Sequence, residues 1–518
     1  MTTEPEGQGA GAVDRSLTWL AVLLVTAWLG WVQLSFGGLY DLDSYFHVRA
    51  AERLAHEGVV RRFPQATQST WVDAYSDKDF LFHALLIPFV AGGQLVAGGK
   101  WAVILLELLV FAAFAFALRS FALRFGALWV LLLAATSPYY VTRLASVRPH
   151  ILGLAFVTLE IVLLFRGSWK TLLLVAALHA WAHSSFLLLP ALLVARVATS
   201  VLRREPFPRA VTLAVLGGLA FGLVVHPYFP NNLTLVDQIL DIVRSVAANR
   251  SEIPREAFGS ELGPLTWPAF LAQFPSWTPA VAGLVLVLLT FGLRGWSAAE
   301  TYLGLVSAGT LFVASRSRRF IDVFVVAALL LAAALWTRLA RGRPLGALLR
   351  ARPLIAAPCI GGLLLLAGYA AVRTSAVRDG FRRQTMGDVF APAVAALDHV
   401  AARDDVVYHN SWMDFAVLYG FRPDGRYISG LDPIFLYQHD PALFAKNLEI
   451  ARGLGTGDAA VRVIADEFHG RWIFVTAQPR DQGVRQLLAG SKSVHLVYAD
   501  DFAQIWQVLA APAPAVKR

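Results

Sequence analysis

The chain has 518 residues, 57% of them hydrophobic, with a mean hydropathy of +0.56 and a formal charge of +9. Soluble domains are about 45–50% apolar, so an ordinary water-soluble globule is excluded and a polytopic membrane protein is expected. The single cysteine, Cys359, excludes a disulfide framework. The arginines sit in short loops between apolar runs, so membrane topology accounts for the basic excess before nucleic acid does.

Residues 1–15 are polar and are expected to be disordered. Apolar runs follow at about 17–37, 80–98, 101–118, 126–140, 149–165, 169–186, 187–202, 208–226, 277–293, 297–314, 319–337 and 353–372. Most approach the roughly 20 residues that cross a bilayer as a helix. No small-residue cleavage site follows the first run, which reads as a retained helix. Arg338, Arg341, Arg343, Arg350 and Arg352 mark a cytoplasmic loop, and Arg203, Arg204 and Arg294 fall on the same side. The loops 39–79 and 227–276, the turn 137–150 and residues 315–319 are then external, as is everything after about 375. Twelve crossings cannot join an inner N-terminus to an outer C-terminus, so 11 or 13 are expected. The fault lies in 80–140, where the short run 126–140 is a candidate re-entrant helix. The expected organisation is a disordered 1–15, a transmembrane domain 16–375 and an external soluble α/β domain 376–518. In the last, β-like runs at 406–408, 426–428, 472–475 and 495–498 alternate with helical stretches at 391–402 and 441–453.

The residues that carry chemistry cluster in the expected external parts. Tyr40 to Arg49 follows the first helix and holds Asp41, Asp43, His47 and Arg49. Ionisable groups beside hydrocarbon are costly unless something pairs with them. A carboxylate pair two residues apart can hold a hard divalent cation that clamps a phosphate, or one carboxylate can act as a base. A polar helix boundary wetted by headgroups is the plain alternative. Asp73 to Asp79 can cap the helix that starts at Phe80. Arg143 and Arg148 on the external side run against the positive-inside bias and suit phosphate. His150 is a candidate metal ligand, or an interfacial hydrogen-bonding group. His179 and His183 share a helix face, either as a metal pair or as polar links between helices. Ser315 to Phe320 places Arg316, Arg318 and Arg319 at a helix start, for a polyprenyl phosphate or for anionic headgroups.

Asp43-Ser44-Tyr45-Phe46-His47-Val48-Arg49 resembles the first acidic motif, commonly D-P-Y-Y-H-x-R, of the catalytic subunit of oligosaccharyltransferase, within the GT-C class of membrane glycosyltransferases. Ser260 to Trp267 is similar to that family's S-E-x-x-P-x-x-W, and Arg318-Arg319-Phe320 looks like its arginine region that meets the lipid-linked phosphate. Trp412-Met413-Asp414-Phe415 resembles its W-W-D-Y, with Met413 for the second Trp and no Gly after Phe415. The second acidic motif departs: Ser146-Val147-Arg148-Pro149-His150 has no Asp or Glu.

The resemblance implies a GT-C-like polytopic fold of 11–13 membrane helices and sugar transfer from a polyprenyl phosphate or pyrophosphate donor on the external face of the cell membrane. Asp43 and Glu261 would be catalytic, Arg148, Arg318 and Arg319 would meet the donor phosphate, and Trp412 and Asp414 the acceptor. A divalent cation, magnesium or manganese, would rest on Asp43, Asp41 and His150. The acceptor is a protein asparagine, or a lipid or glycan. A lipid-linked sugar flippase would share the arginines but should show inverted repeats, and the sequence has none. A catalytically inactive glycan-assembly subunit is the third reading.

Overall fold

The computed structural model describes residues 6–248, 277–291, 295–342 and 387–509, with scattered positions among 263–270 and at 350, 353 and 361. Four segments, Val13–Leu34, Leu95–Ser120, Ser184–Arg203 and Arg318–Arg341, are long and apolar enough to cross a membrane. Shorter apolar helices pack among them. Helix α1 is Glu6–Leu34, so residues 6–15 extend the membrane helix instead of forming the expected disordered stretch. Propagating a formed helix is far easier than nucleating one.

Two sets of contacts mark the ends of the bundle. At one end, Gly126 N donates to Asp14 Oδ1 (3.2 Å) and Arg341 donates to the Ala122 carbonyl (2.8 Å). At the other, Lys100 Nζ of α5 (Leu95–Ser120) donates to the carbonyls of Phe36 and Gly37. There too, Arg143 Nε meets Asp322 Oδ2 at 2.6 Å. Helices α1 and α5 therefore run antiparallel between the ends.

Between them, α2 (Asp43–Glu57), α3 (Trp71–Ala74) and α4 (Phe80–Val90) stay on the second face. The 11 residues of α4 span about 16 Å at 1.5 Å per residue, half of a hydrocarbon core. Its His83 touches His47 of α2, and α5 begins on the same face. Pro88 and the Gly92-Gly93 turn, with Gly93 at φ +82°, stop the helix before it can cross. This corrects the re-entrant assignment: the run 80–98 turns back, whereas 126–140 passes between the ends as α6 (Gly126–Ala134) and α7 (Pro138–Leu144).

The chain continues through α8 (His150–Arg166), α9 (Trp169–Ala182), α10 (Leu189–Arg203) and α11 (Arg209–Val224), with α12 (Asn231–Ala248) after them. Helices Trp277–Phe291, Ala298–Arg316 and Ile321–Gly342 follow. Ten passes result among the described residues: α1, α5, α6 with α7, α8, α9, α10, α11 and these three helices. The expected crossing at 353–372, which would make the total odd, lies outside the described residues.

Residues 387–509 form the α/β unit. Strands β1 (Val406–His409), β2 (Arg426–Tyr427), β3 (Gly470–Thr476), β4 (Val494–Ala499) and β5 (Ala503–Val508) lie in the order β2-β1-β3-β5-β4. β1 is parallel to β2 and β3, and β5 is antiparallel to β3 and β4. The four expected strands are present. β5 was not expected; it follows a tight turn in which Asp500 Oδ1 accepts from Phe502 N (2.8 Å) and Ala503 N (2.7 Å). The unit shares one core with the 39–79 segment, where Phe46, Phe63 and Trp71 pack against Phe415, Tyr419 and Phe435. Arg49 donates to the Gly420 carbonyl at 2.9 and 2.7 Å, and a Cβ on Gly420 would stand 2.7 Å from that of Tyr45, so only glycine allows this approach.

Candidate active site

A cavity of about 200 Å³ opens between the 39–79 segment, the turn before α8 and the α/β unit. Its walls are acidic and basic at once, with Asp41, Asp43, Asp77, Asp79 and Asp432 facing Lys78, Arg143, Arg148 and Arg319. A second chamber, about 410 Å³, is lined by Leu154, Leu187, Leu188, Ile239, Phe312, Phe320 and other apolar side chains. Lys78 and Arg319 line both, as do Asp432, His150 and His183, so two cations and a carboxyl stand where the polar chamber adjoins the apolar one. The acidic motif and the basic helix start, 276 positions apart from Asp43 to Arg319, thus converge on one cavity.

Local structure fixes the acids. Asp41 Oδ1 accepts from Ser44 N and Ser44 Oγ, each at 2.8 Å, a capping arrangement at the start of α2. Val147 N donates to Ser44 Oγ (2.9 Å), which fastens the 146–150 turn to that helix end. The fastening delivers Arg148: its Nη2 lies 2.9 Å from Asp43 Oδ2, and its Nη1 3.9 Å from Asp41 Oδ2. Asp43 itself is buried. Burial pushes the Asp79 carboxyl up to about 6, against the pull of Lys78. Burial also raises Asp432, again opposed by Lys78 and then Arg319. Carboxyls are thus held among cations that favour negative charge.

The expected cation does not fit these residues. Arg148 already lies against both Asp43 and Asp41, so a guanidinium supplies the positive charge that the missing second acidic motif would have recruited as metal. His150 lines the cavity, but its Nε2 donates to the Arg143 carbonyl at 3.1 Å. Among the described residues, no three His, Cys, Asp or Glu side chains are grouped to hold a metal ion. Asp41 and Asp43 thus face Arg148, and His150 the Arg143 carbonyl, where the metal was expected.

Other expected site residues divide. Arg319 lines both chambers, whereas Arg318 lines neither and its backbone N donates to Gly263 O at 3.1 Å. Trp412 and Met413 line the polar chamber. Asp414 does not: it is buried behind them, 2.6 Å from Arg480 Nη2. Asp414, expected at the acceptor, thus lies off the cavity lining and against Arg480. Ser411 caps this helix with its side chain and Asp414 stands in the first turn, so the apparent motif is an ordinary helix start. Glu261 lies outside the described residues. His179 bonds Glu160 (2.8 Å) and Ser185 (2.8 Å), a polar link between helices and not a metal pair with His183.

Lys78 was missed as a site residue, because its flanking acids read as a helix cap. The signal was present: a lysine between Asp77 and Asp79 at the edge of an apolar run. His47, His83 and Asp77 form a buried hydrogen-bonded chain beside the acids, at 2.9 and 2.6 Å.

No family model and no curated protein matches the sequence. Solved structures do. The chain is similar to ArnT from Cupriavidus metallidurans bound to undecaprenyl phosphate, at 14% identity over 94% of this chain and 97% of that one, with a TM-score of 0.60. The apo state of the same protein matches at 15% identity over the same shares, with a TM-score of 0.58. The oligosaccharyltransferase of Archaeoglobus fulgidus in its apo form matches at 11% identity over 88% of this chain and 69% of that one, with a TM-score of 0.57. These likenesses establish the GT-C fold across nearly the whole chain.

Proposed function

We propose that this GT-C-fold chain is an integral-membrane glycosyltransferase that transfers a sugar from a polyprenyl-phosphate donor to an acceptor. One observation carries the reading: the cations Lys78 and Arg319 line both the apolar chamber and the acidic one. An isoprenoid tail needs the first chamber, its phosphate the cations that line both, and the reacting sugar the second. The ArnT neighbour, whose bound molecule is undecaprenyl phosphate, supports this choice of donor.

The residues divide the work by chemistry. Lys78 and Arg319 neutralise the phosphate as it leaves, which is stabilisation where charge develops. Asp43, its charge matched by Arg148, orients the nucleophile as a hydrogen-bond acceptor. Trp412 and Met413 border the acceptor side, and Glu261 keeps the acceptor role that the sequence resemblance gives it. Displacement of Asp414 from the cavity favours a lipid or glycan hydroxyl over a protein asparagine as acceptor. Sidedness follows from charge: the face opposite the cavity carries Arg119, Arg124, Arg203, Arg204, Arg338 and Arg341, so the cavity and the α/β unit are external.

The test is release of undecaprenyl phosphate from a panel of undecaprenyl-phosphate-linked pentoses and hexoses by the purified protein in nanodiscs. Wild type should turn over at least one, and Asp43→Ala should lower turnover roughly a hundredfold. Equal turnover in the two proteins would remove Asp43 from the reaction, and no turnover of any donor by wild type would sink the reading.

A further inference from the structure

A third cavity, of about 510 Å³, lies at the end of the bundle opposite the candidate active site. Four arginines line it: Arg15 of α1, Arg119 in the last turn of α5, Arg124 in the loop before α6, and Arg341 in the last turn of the helix Ile321–Gly342. Four parts of the chain, 326 positions apart from Arg15 to Arg341, thus converge on one hollow. Backbone contacts fix its shape. Arg124 N donates to Thr337 Oγ1 at 2.8 Å, and Gly126 N to Asp14 Oδ1 at 3.2 Å. A Cβ on Gly126 would collide with the Thr18 hydroxyl, so α6 starts hard against α1.

The charges in the hollow do not cancel. All four arginines are exposed, and among the described residues none forms an ion pair with a carboxylate. Arg341 donates to the Ala122 carbonyl at 2.8 Å, which holds its guanidinium at the rim. Asp14 also lines the cavity, with one carboxylate oxygen engaged by the Gly126 amide. Four positive groups against one negative attract an anion. The surroundings say which kind. Trp19 lines the same cavity and is 44% exposed, and an indole ring suits the headgroup level of a bilayer. Arg15, Trp19 and Leu23 are spaced four apart on α1, so they form one stripe, and Leu23 is exposed one turn beyond the cavity. On α6, which packs against α1, Leu128 and Leu131 are exposed as well. A small inorganic ion would use the arginines alone, whereas a lipid uses the arginines and the apolar stripe.

We propose that this cavity binds an anionic phospholipid, with its phosphodiester among Arg15, Arg119, Arg124 and Arg341 and its acyl chains along the stripe that continues through Leu23. The site is separate from the two chambers described above, and it stands whether or not the glycosyl-transfer reading does. Basic pockets between membrane helices are a general means of holding such headgroups. The rival is the ordinary excess of arginine on one side of a membrane protein, which asks for charge at that face but for no shared cavity.

Native mass spectrometry of the full chain, titrated with phosphatidylglycerol or with phosphatidylcholine, separates the two. One tightly held phosphatidylglycerol per chain is expected, with phosphatidylcholine roughly tenfold weaker or more. Arg119→Gln combined with Arg124→Gln should weaken phosphatidylglycerol about 30-fold, at roughly 1 kcal/mol for each basic residue removed. Arg203→Gln combined with Arg204→Gln, exposed at the same end but outside the cavity lining, should leave its affinity unchanged. Thermal unfolding in detergent without added lipid reports that each variant is folded. Equal weakening by the two pairs, or no preference for phosphatidylglycerol in wild type, would overturn the proposal. Displacement of the bound lipid by millimolar glycerol phosphate would make the hollow a site for a free phosphate ester and overturn its assignment to a lipid.

Discussion

At the scale of the residue, the site is governed by which charges find partners. Arg148 illustrates this. It stands in a turn whose sequence carries no acid, and it lies against Asp43 and Asp41 itself. A fixed internal cation needs no recruitment from solvent and cannot be removed by a chelator. Asp79 shows the cost of the same environment. Its carboxyl, pushed up to about 6 by burial, is more easily protonated folded than unfolded. For an acid whose pKa is raised, the stability it contributes is present below its unfolded value, near 3.8, and is lost as pH rises to about 6. Asp79→Asn should therefore be more stable than wild type above pH 6 by on the order of 3 kcal/mol. The two should converge near pH 4, as measured by thermal unfolding in detergent across pH. A stability difference independent of pH would contradict the buried-carboxyl account.

At the scale of the element, helix starts do most of the positioning. Ser44, in the first turn of α2, receives the backbone of Val147 and so sets Arg148 on the acids. The helix Trp412–Phe421 projects Trp412 and Met413 into the cavity and turns Asp414 inward to Arg480. Asp414→Ala leaves Arg480 without this carboxylate in a largely buried place, which typically costs about 3 kcal/mol or more. The expected result is a lower unfolding temperature of the purified protein with unchanged affinity for undecaprenyl phosphate. Loss of affinity at full stability would return Asp414 to the binding site. Helix α4 shows the same principle for topology. Its composition is that of a membrane span, but Pro88 and Gly93 end it after 11 residues, and it packs beside α2.

At the scale of the whole molecule, the two cores meet at the site. The membrane bundle carries the apolar chamber, and the α/β unit with the 39–79 segment closes the polar one through Trp412, Asp432 and Phe435. The expected sidedness is checked by labelling single cysteines introduced into a Cys359→Ala background. Cysteines at exposed positions Arg471 and Arg204 should react with an impermeant thiol reagent from outside and from inside, respectively. The reverse pattern would invert the molecule.

The chain by itself determined its class and much of its chemistry. Apolar runs long enough to span hydrocarbon dictate a helical bundle, because an unpaired backbone cannot stay there. The cluster around Asp43 was legible because its members are consecutive, and Arg319 because it stands where the charge rule forbids it. Only the tertiary structure decided the partners: Arg148 on Asp43, Lys78 on the wall of both chambers, and His83 between Asp77 and His47. Asp414 could not be read correctly, since a Trp-x-Asp at a binding groove and at a capped helix start are the same letters. The physical reason is common to all of these. Spans and caps are written in local periodicity and spacing, whereas the sign of each charge's nearest neighbour depends on which distant segments the packing brings within about 3 Å, the reach of a hydrogen bond.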